Sequence, residues 1–205
     1  MTAVVLKRLW ILGILVTGTV TSLFGQETSV PGKSKFGIQG GVLYSSTVIK
    51  HSPPVNNWSF IVVEPQPGYY LNVFRRKPLS DTWFSQLEVS FQQKGQNYKR
   101  PNDPQVTNRR YGYIGFSPNV GAQLATRVQV LVGAEINYLI RQKAVYEDPS
   151  LIEYGLHGRL AYQWQHVGFH VEYFSALNKY DKLDVFGIET SFINQNWKLG
   201  LIYNL

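Results

Sequence analysis

The chain has 205 residues with 13 Tyr, 5 Trp and no cysteine, which excludes a disulfide framework, thiolate chemistry and the lipid-bearing cysteine of a lipoprotein. Charged residues make up only 16% of it, against about 25% in ordinary soluble domains. The formal net charge is +7, but the surplus sits in short groups (Arg75-Arg76-Lys77, Lys99-Arg100, Arg109-Arg110) and not on a basic helix or face, so nucleic acid is set aside as a partner.

Lys7 and Arg8 precede the apolar stretch LWILGILVTGTV, and TSLFGQ follows. A charged start, an apolar centre and a small-residue site are the parts of a secretory signal peptide. The apolar stretch is short for a membrane anchor, since a spanning helix wants about 20 such residues. Residues 1–25 are therefore expected to direct export and be removed after Gly25. The polar run 26–35 reads as a flexible lead-in to one domain over 36–205.

From there on the pattern has period two, broken by turn chemistry, with no useful helical period. In the first predicted strand Phe36, Ile38, Val42 and Tyr44 share a face opposite Gly37, Gln39 and Gly41. The second, about 60–74, puts Ile61, Val63, Tyr69, Leu71 and Val73 against Glu64, Gln66, Gly68 and Asn72, with Pro65 and Pro67 weakening its start. A turn over 75–81 leads to WFSQLEVSFQQKG, whose Trp83, Leu87, Val89 and Phe91 oppose Gln86, Glu88, Ser90 and Gln92. QNYKRPNDPQVTN reads as a long loop.

The fourth strand, about 109–122, carries Ile114, Phe116, Val120 and Ala122 on one side. The fifth alternates most cleanly, from Val128 through Val130, Val132, Ala134, Ile136 and Tyr138 to Ile140. The sixth sets Tyr154, Leu156, Leu160, Tyr162 and Trp164 against Glu153, His157, Arg159 and Gln163, and a tight turn at Gln165-His166 leads to Val167, Phe169, Val171 and Tyr173. The last is WKLGLIYNL. The stretch 184–196 alternates as well and reads as a strand extension or outer loop, because single-chain bacterial barrels have an even strand number.

Gaps after the odd strands read as long and polar, those after the even strands as short. Long outer loops and short periplasmic turns belong to a transmembrane barrel. The expected fold is thus all-β, an eight-stranded antiparallel transmembrane barrel with a polar, filled lumen and its apolar faces on lipid. Trp83 and Trp164 then mark one membrane interface, and Tyr44, Tyr138, Tyr154 and Tyr173 the other.

Eight strands leave room inside only for side chains. Counting across the 165–166 turn sets Arg159 opposite Glu172, with Glu135 close to Arg159. The predicted lumen network is Glu64, Glu88, Glu135, His157, Arg159, His170 and Glu172. Confined charges of this kind need partners. Lys94, Lys99, Arg100, Arg109 and Arg110 are expected in a loop, where they suit lipopolysaccharide phosphates or a protein partner.

LEVSFQQKG, RRYGYIGFSPNVG and VLVGAEINYLI, in that order, resemble successive strands of the PorT-like outer-membrane β-barrel domain of Bacteroidetes. The glycine-rich first strand and WKLGLIYNL fit the same order, so the resemblance covers about 36–205. It implies an eight-stranded barrel in the Gram-negative outer membrane, in a family whose functions are mostly unassigned and whose namesake is linked to secretion; the role expected here is structural or interactive, in secretion or envelope assembly.

Other chemistry finds less support. His157 and His170 point inward by parity and have no Ser beside them to form a base–nucleophile pair, so no catalytic residues are assigned. A zinc site from His157, His170 and Glu172 is less economical than a hydrogen-bonded network, and neither a metal nor a cofactor is expected. A small pore and a lipid-modifying enzyme stay open as alternatives to a structural, partner-binding barrel.

Overall fold

The computed structural model describes residues 34–52, 62–100, 103–143, 150–179, 181–185 and 188–205. The signal peptide and nearly all of the lead-in expected from the sequence lie outside these residues. Nine strands occur among them: β1 (Lys35–Ser52), β2 (Val62–Pro78), β3 (Trp83–Arg100), β4 (Asp103–Ala125), β5 (Val128–Lys143), β6 (Ile152–Trp164), β7 (Val167–Ala176), β8 (Asp181–Val185) and β9 (Ile188–Asn204). No helix occurs among the described residues.

Each strand from β1 to β7 pairs antiparallel with the next, β7 pairs with β9, and β9 returns to β1. That last ladder runs from Gly37↔Asn204 to Ser52↔Glu189 and closes an eight-stranded barrel. Closure removes the sheet edges, so backbone donors and acceptors are satisfied within the wall. The short β8 stands outside the closure and hairpins onto the start of β9, from Asp181↔Phe192 to Val185↔Ile188. Residues 188–196 are therefore an extension of the last strand, and 181–185 is a separate small strand.

At one end the connections are tight. Leu79 N and Ser80 N both donate to Trp83 O, at 2.8 and 3.1 Å. Gln165 takes a positive φ of 55° in the turn to β7, the backbone that a two-residue hairpin demands. At the other end the strands run on. A bilayer crossing takes about 9–11 tilted residues, whereas β1 and β3 have 18 residues and β4 has 23. The excess forms ribbons that continue the barrel wall. The segment expected as a long loop is one of them: Gln96↔Arg109, Asn97↔Asn108, Tyr98↔Thr107 and Lys99↔Val106 are ladder pairs, leaving only residues 101 and 102 between β3 and β4. Polar composition hid this, because a strand that runs on past the apolar band has no lipid-facing side for alternation to mark.

Burial is inverted relative to a soluble protein. Among the described residues, buried polar or charged side chains outnumber buried hydrophobic ones by 25 to 14. Outside, Val42, Leu71, Val73, Val132, Leu156, Leu160, Leu199 and Leu201 are each more than half exposed. A continuous apolar exterior of this extent is incompatible with water and matches the hydrocarbon-facing band of a membrane barrel. Trp83 and Trp164 stand exposed towards the tight-turn end. Towards the other, Tyr44 and Tyr173 both pair with Trp197, whose ring centroid is 4.8 Å from that of Tyr173. The alternating apolar faces therefore point out, and the polar faces point into the lumen.

Candidate functional site

The interior is filled by one chain of polar bonds running along the barrel. At the tight-turn end Arg76 stacks 4.2 Å over the Phe84 ring and donates through Nε to Gln86 Oε1 at 2.8 Å. Gln86 Nε2 in turn donates to Glu88 Oε1 at 2.8 Å. Glu88 also receives bonds from Gln39, Asn72 and Asn119 at 2.6, 3.0 and 3.1 Å. Arg159 grips the same carboxylate with Nη1 and Nη2, at 2.6 and 2.9 Å, and turns its Nε to Glu172 at 2.6 Å. That fork geometry is what a guanidinium offers and an ammonium does not.

From Glu172 the chain passes to Lys198, which lies 2.8 Å from both Glu172 Oε1 and Glu135 Oε2. Gln92 and Asn137 donate to Glu135 Oε1 at 3.0 and 2.7 Å. Asn137 Nδ2 also reaches Glu153 at 3.0 Å, and Glu153 pairs with Lys94. Asn194 donates to Glu153 at 2.5 Å and accepts from Gln96 at 2.9 Å. The four carboxylates (Glu88, Glu135, Glu153, Glu172) are thus each held by one or two of three cations (Lys94, Arg159, Lys198), while Arg76 donates to the side-chain amide oxygens of Gln86 and Gln129. An ion in a low-dielectric interior is tolerable only with such matched partners.

Of the residues expected in the lumen, Glu88, Glu135, His157, Arg159, His170 and Glu172 are buried there. Arg159 does lie opposite Glu172 in the β6–β7 ladder. Glu135, however, stands opposite Gly155 and is served by Lys198, not by Arg159. Glu64 is not part of the network. It pairs with Lys99 at 2.5 Å, both side chains being 42% exposed. The cause is a bulge: between Gln66 and Tyr69 the register with β3 slips, and one extra residue reverses the parity of what precedes it.

Lys94 corrects the other expectation. It is a fully buried lumen residue, held by Glu153 and placed 4.8 and 5.0 Å from the Phe174 and Tyr113 rings, and it is not in a loop. Arg109 and Arg110 lie in β4, and Arg100 closes β3, so all three belong to the ribbon. Lys94, Glu153 and Lys198 are network members that sequence reasoning missed. Parity alone would have found them, since each shares its strand's inward face.

His170 Nε2 lies 2.8 Å from Tyr70 Oη, and His157 Nδ1 lies 3.4 Å from Glu172 Oε2. Both imidazoles are buried in the lumen, away from the lipid face. Among the described residues no group of three His, Asp or Glu side chains is placed to hold a metal ion.

Outside the lumen, one feature of the wall combines charge with a recess. Tyr69, Gln93, Gly112 and Arg141 form a single row across β2 to β5 by ladder pairing. Together with Phe91, Arg110 and Tyr111 they line a cleft of about 210 Å³.

No family model matches the sequence, and no curated protein matches it. Among solved structures, Ail, the attachment invasion locus protein of Yersinia pestis, is 11% identical with a TM-score of 0.44, over 85% of this chain and 100% of Ail. The translocator domain of the autotransporter NalP from Neisseria meningitidis is 12% identical with a TM-score of 0.35, over 96% and 95% of the two chains. The NanC porin is 9% identical with a TM-score of 0.32, over 83% of this chain and 100% of that one.

Proposed function

We propose that the protein is an exported, integral outer-membrane β-barrel of the PorT-like kind, non-conducting and non-enzymatic, whose ribbons engage a partner in a secretion or envelope assembly. The observation that carries this reading is the unbroken chain from Arg76 through Glu88, Arg159, Glu172, Lys198, Glu135 and Asn137 to Glu153 and Lys94. It occupies the space a conduit would need. It also commits every buried carboxylate it contains to a cation, leaving none as an acid or base for lipid chemistry. The ribbons supply what remains: rigid, paired backbone that projects beyond the apolar band and can present side chains to another protein.

The test is made on protein purified from washed outer membranes. The expected result is faster gel migration unheated than boiled in SDS, together with no steady single-channel current in planar bilayers. A persistent current would favour the pore alternative. Altered lipid A mass spectra in cells lacking the gene, restored by the intact gene, would favour the lipid-modifying alternative.

A further inference from the structure

We propose that the outer wall of the barrel carries a built site for the phosphate of a glycolipid headgroup, formed by Arg110 and Arg141 at the upper edge of the apolar band. This inference rests on the membrane-spanning reading above and names a ligand class for one face of it.

Three successive rows of the wall change character in register. Leu71, Phe91, Ile114 and Tyr138 pair across β2, β3, β4 and β5 and form an apolar row. One step towards the ribbons comes the row of Tyr69, Gln93, Gly112 and Arg141. One step further, Arg110 stands between Gly95 and Lys143 in the ladder. Acyl chain, glycerol or sugar, and phosphate are met in that order by a lipid standing against a barrel. The wall offers apolar, amphipathic and cationic groups in the same order.

Two local features build the cleft. The β4–β5 register slips between Gly112↔Arg141 and Tyr113↔Leu139, so β5 carries one extra residue there. Leu139 is buried inward and Ile140 is exposed outward. Simple alternation would send Arg141 into the lumen. The bulge instead leaves it exposed on the outer wall beside Ile140, which is the re-aiming that bulges accomplish. Facing it, Gly112 leaves space open: a Cβ there would stand 3.2 Å from Arg141 Cβ.

The charges are available. Arg110 and Arg141 are both exposed, and neither pairs with a carboxylate among the described residues. Two guanidiniums around one recess suit a phosphate, which accepts paired N–H bonds. The flanking Tyr69 and Phe91 rings, 6.0 Å apart, give the attached chains a surface. A lipid headgroup is favoured over a soluble phosphate because the cleft adjoins the apolar row, where membrane lipid is already at high local concentration.

The experiment uses the full barrel in nanodiscs containing phosphorylated lipid A, extracted into mild detergent and weighed by native mass spectrometry. The wild-type protein should retain one phosphorylated lipid A. The double variant R110Q/R141Q should retain about tenfold less or worse, as expected for loss of charge-assisted bonds. K50Q, an exposed lysine on β1, should retain it as the wild type does. Dephosphorylated lipid A should not be retained by any of them. Equal retention by R110Q/R141Q, or equal retention of the dephosphorylated lipid, would overturn the site. Displacement by inorganic phosphate at millimolar concentration would overturn the lipid assignment in favour of a free-anion site. Both variants are checked for the heat-dependent gel shift, so that loss of the barrel itself is separated from loss of the site.

Discussion

Arg159 on β6 and Glu88 on β3, 71 residues apart in sequence, meet in the lumen through two parallel bonds of 2.6 and 2.9 Å. The same guanidinium holds Glu172 across the β6–β7 ladder. Replacing Arg159 by Met removes the cation, strands the buried Glu88 carboxylate and leaves Glu172 with Lys198 as its cation. Breaking a buried pair from one side costs about 3–5 kcal/mol. R159M is therefore expected to lower the urea midpoint of the folded barrel in detergent and the temperature of its gel shift. R159K should recover only part of this, because an ammonium cannot form the paired fork. A midpoint for R159M equal to that of the wild type would show that the network contributes nothing to stability.

Lys94 and Glu153 pose the same question in a form that separates pairing from burial. Each is almost wholly buried, so K94M and E153L alone each leave a charge without its main partner. The double variant leaves neither. Buried pairs replaced by apolar residues of similar volume are commonly neutral or stabilising, whereas single removals are costly. The cycle K94M, E153L, K94M/E153L, followed by urea unfolding, should give single variants well below the double. A double variant as unstable as the sum of the singles would mean that the pair is not a unit.

The outward faces carry a prediction of depth. Leu199 on β9 is 58% exposed and is flanked in register by Val42 and Val171. Leu124 is 63% exposed and lies next to the β4–β5 turn. Arginine on the lipid face costs about 2–4 kcal/mol at mid-membrane and about 0–1 near the interface. L199R should destabilise the barrel in lipid vesicles strongly and L124R weakly. Equal effects would place the apolar band elsewhere on the wall.

Much of this architecture is legible in the sequence, and the failures share one physical origin. Alternation identifies each spanning strand because lipid and lumen impose opposite demands on neighbouring residues. It also sets Arg159 opposite Glu172, since a tight turn fixes register. Where those opposite demands end, the signal ends. Beyond Lys94 the β3–β4 ribbon has polar residues on both sides, so composition alone reads it as a loop. Glu64 was misplaced because the bulge at Gln66–Tyr69 reverses parity and leaves no compositional mark. Arg141 is displaced outward by the same kind of irregularity. Lys198 needed only parity, since it alternates with the outward Trp197 and Leu199. What a single chain does not display is which distant strands meet across the lumen, so the sequence places Glu88 and Arg159 in one network without pairing them.

Two glycines test whether the closing seam is as tight as its geometry indicates. At Gly200, which pairs with Gly41 in the β1–β9 ladder, an added Cβ would lie 2.0 Å from Tyr70 Oη and 2.5 Å from the Gly40 carbonyl oxygen. Tyr70 Oη is also the atom that meets His170 at 2.8 Å. G200A must therefore push Tyr70 off His170 or part the strands at the seam, and overpacking of this sort costs about 1–3 kcal/mol. At Gly158 an added Cβ meets nothing within 4 Å, so G158A should lie within about 0.5 kcal/mol of the wild type. Unfolding of both variants in the same detergent gives the comparison. If G158A were the more damaging of the two, the side of the wall assigned to lipid at that position would be wrong. If G200A were neutral, the β1–β9 closure would be looser than a continuous ladder permits.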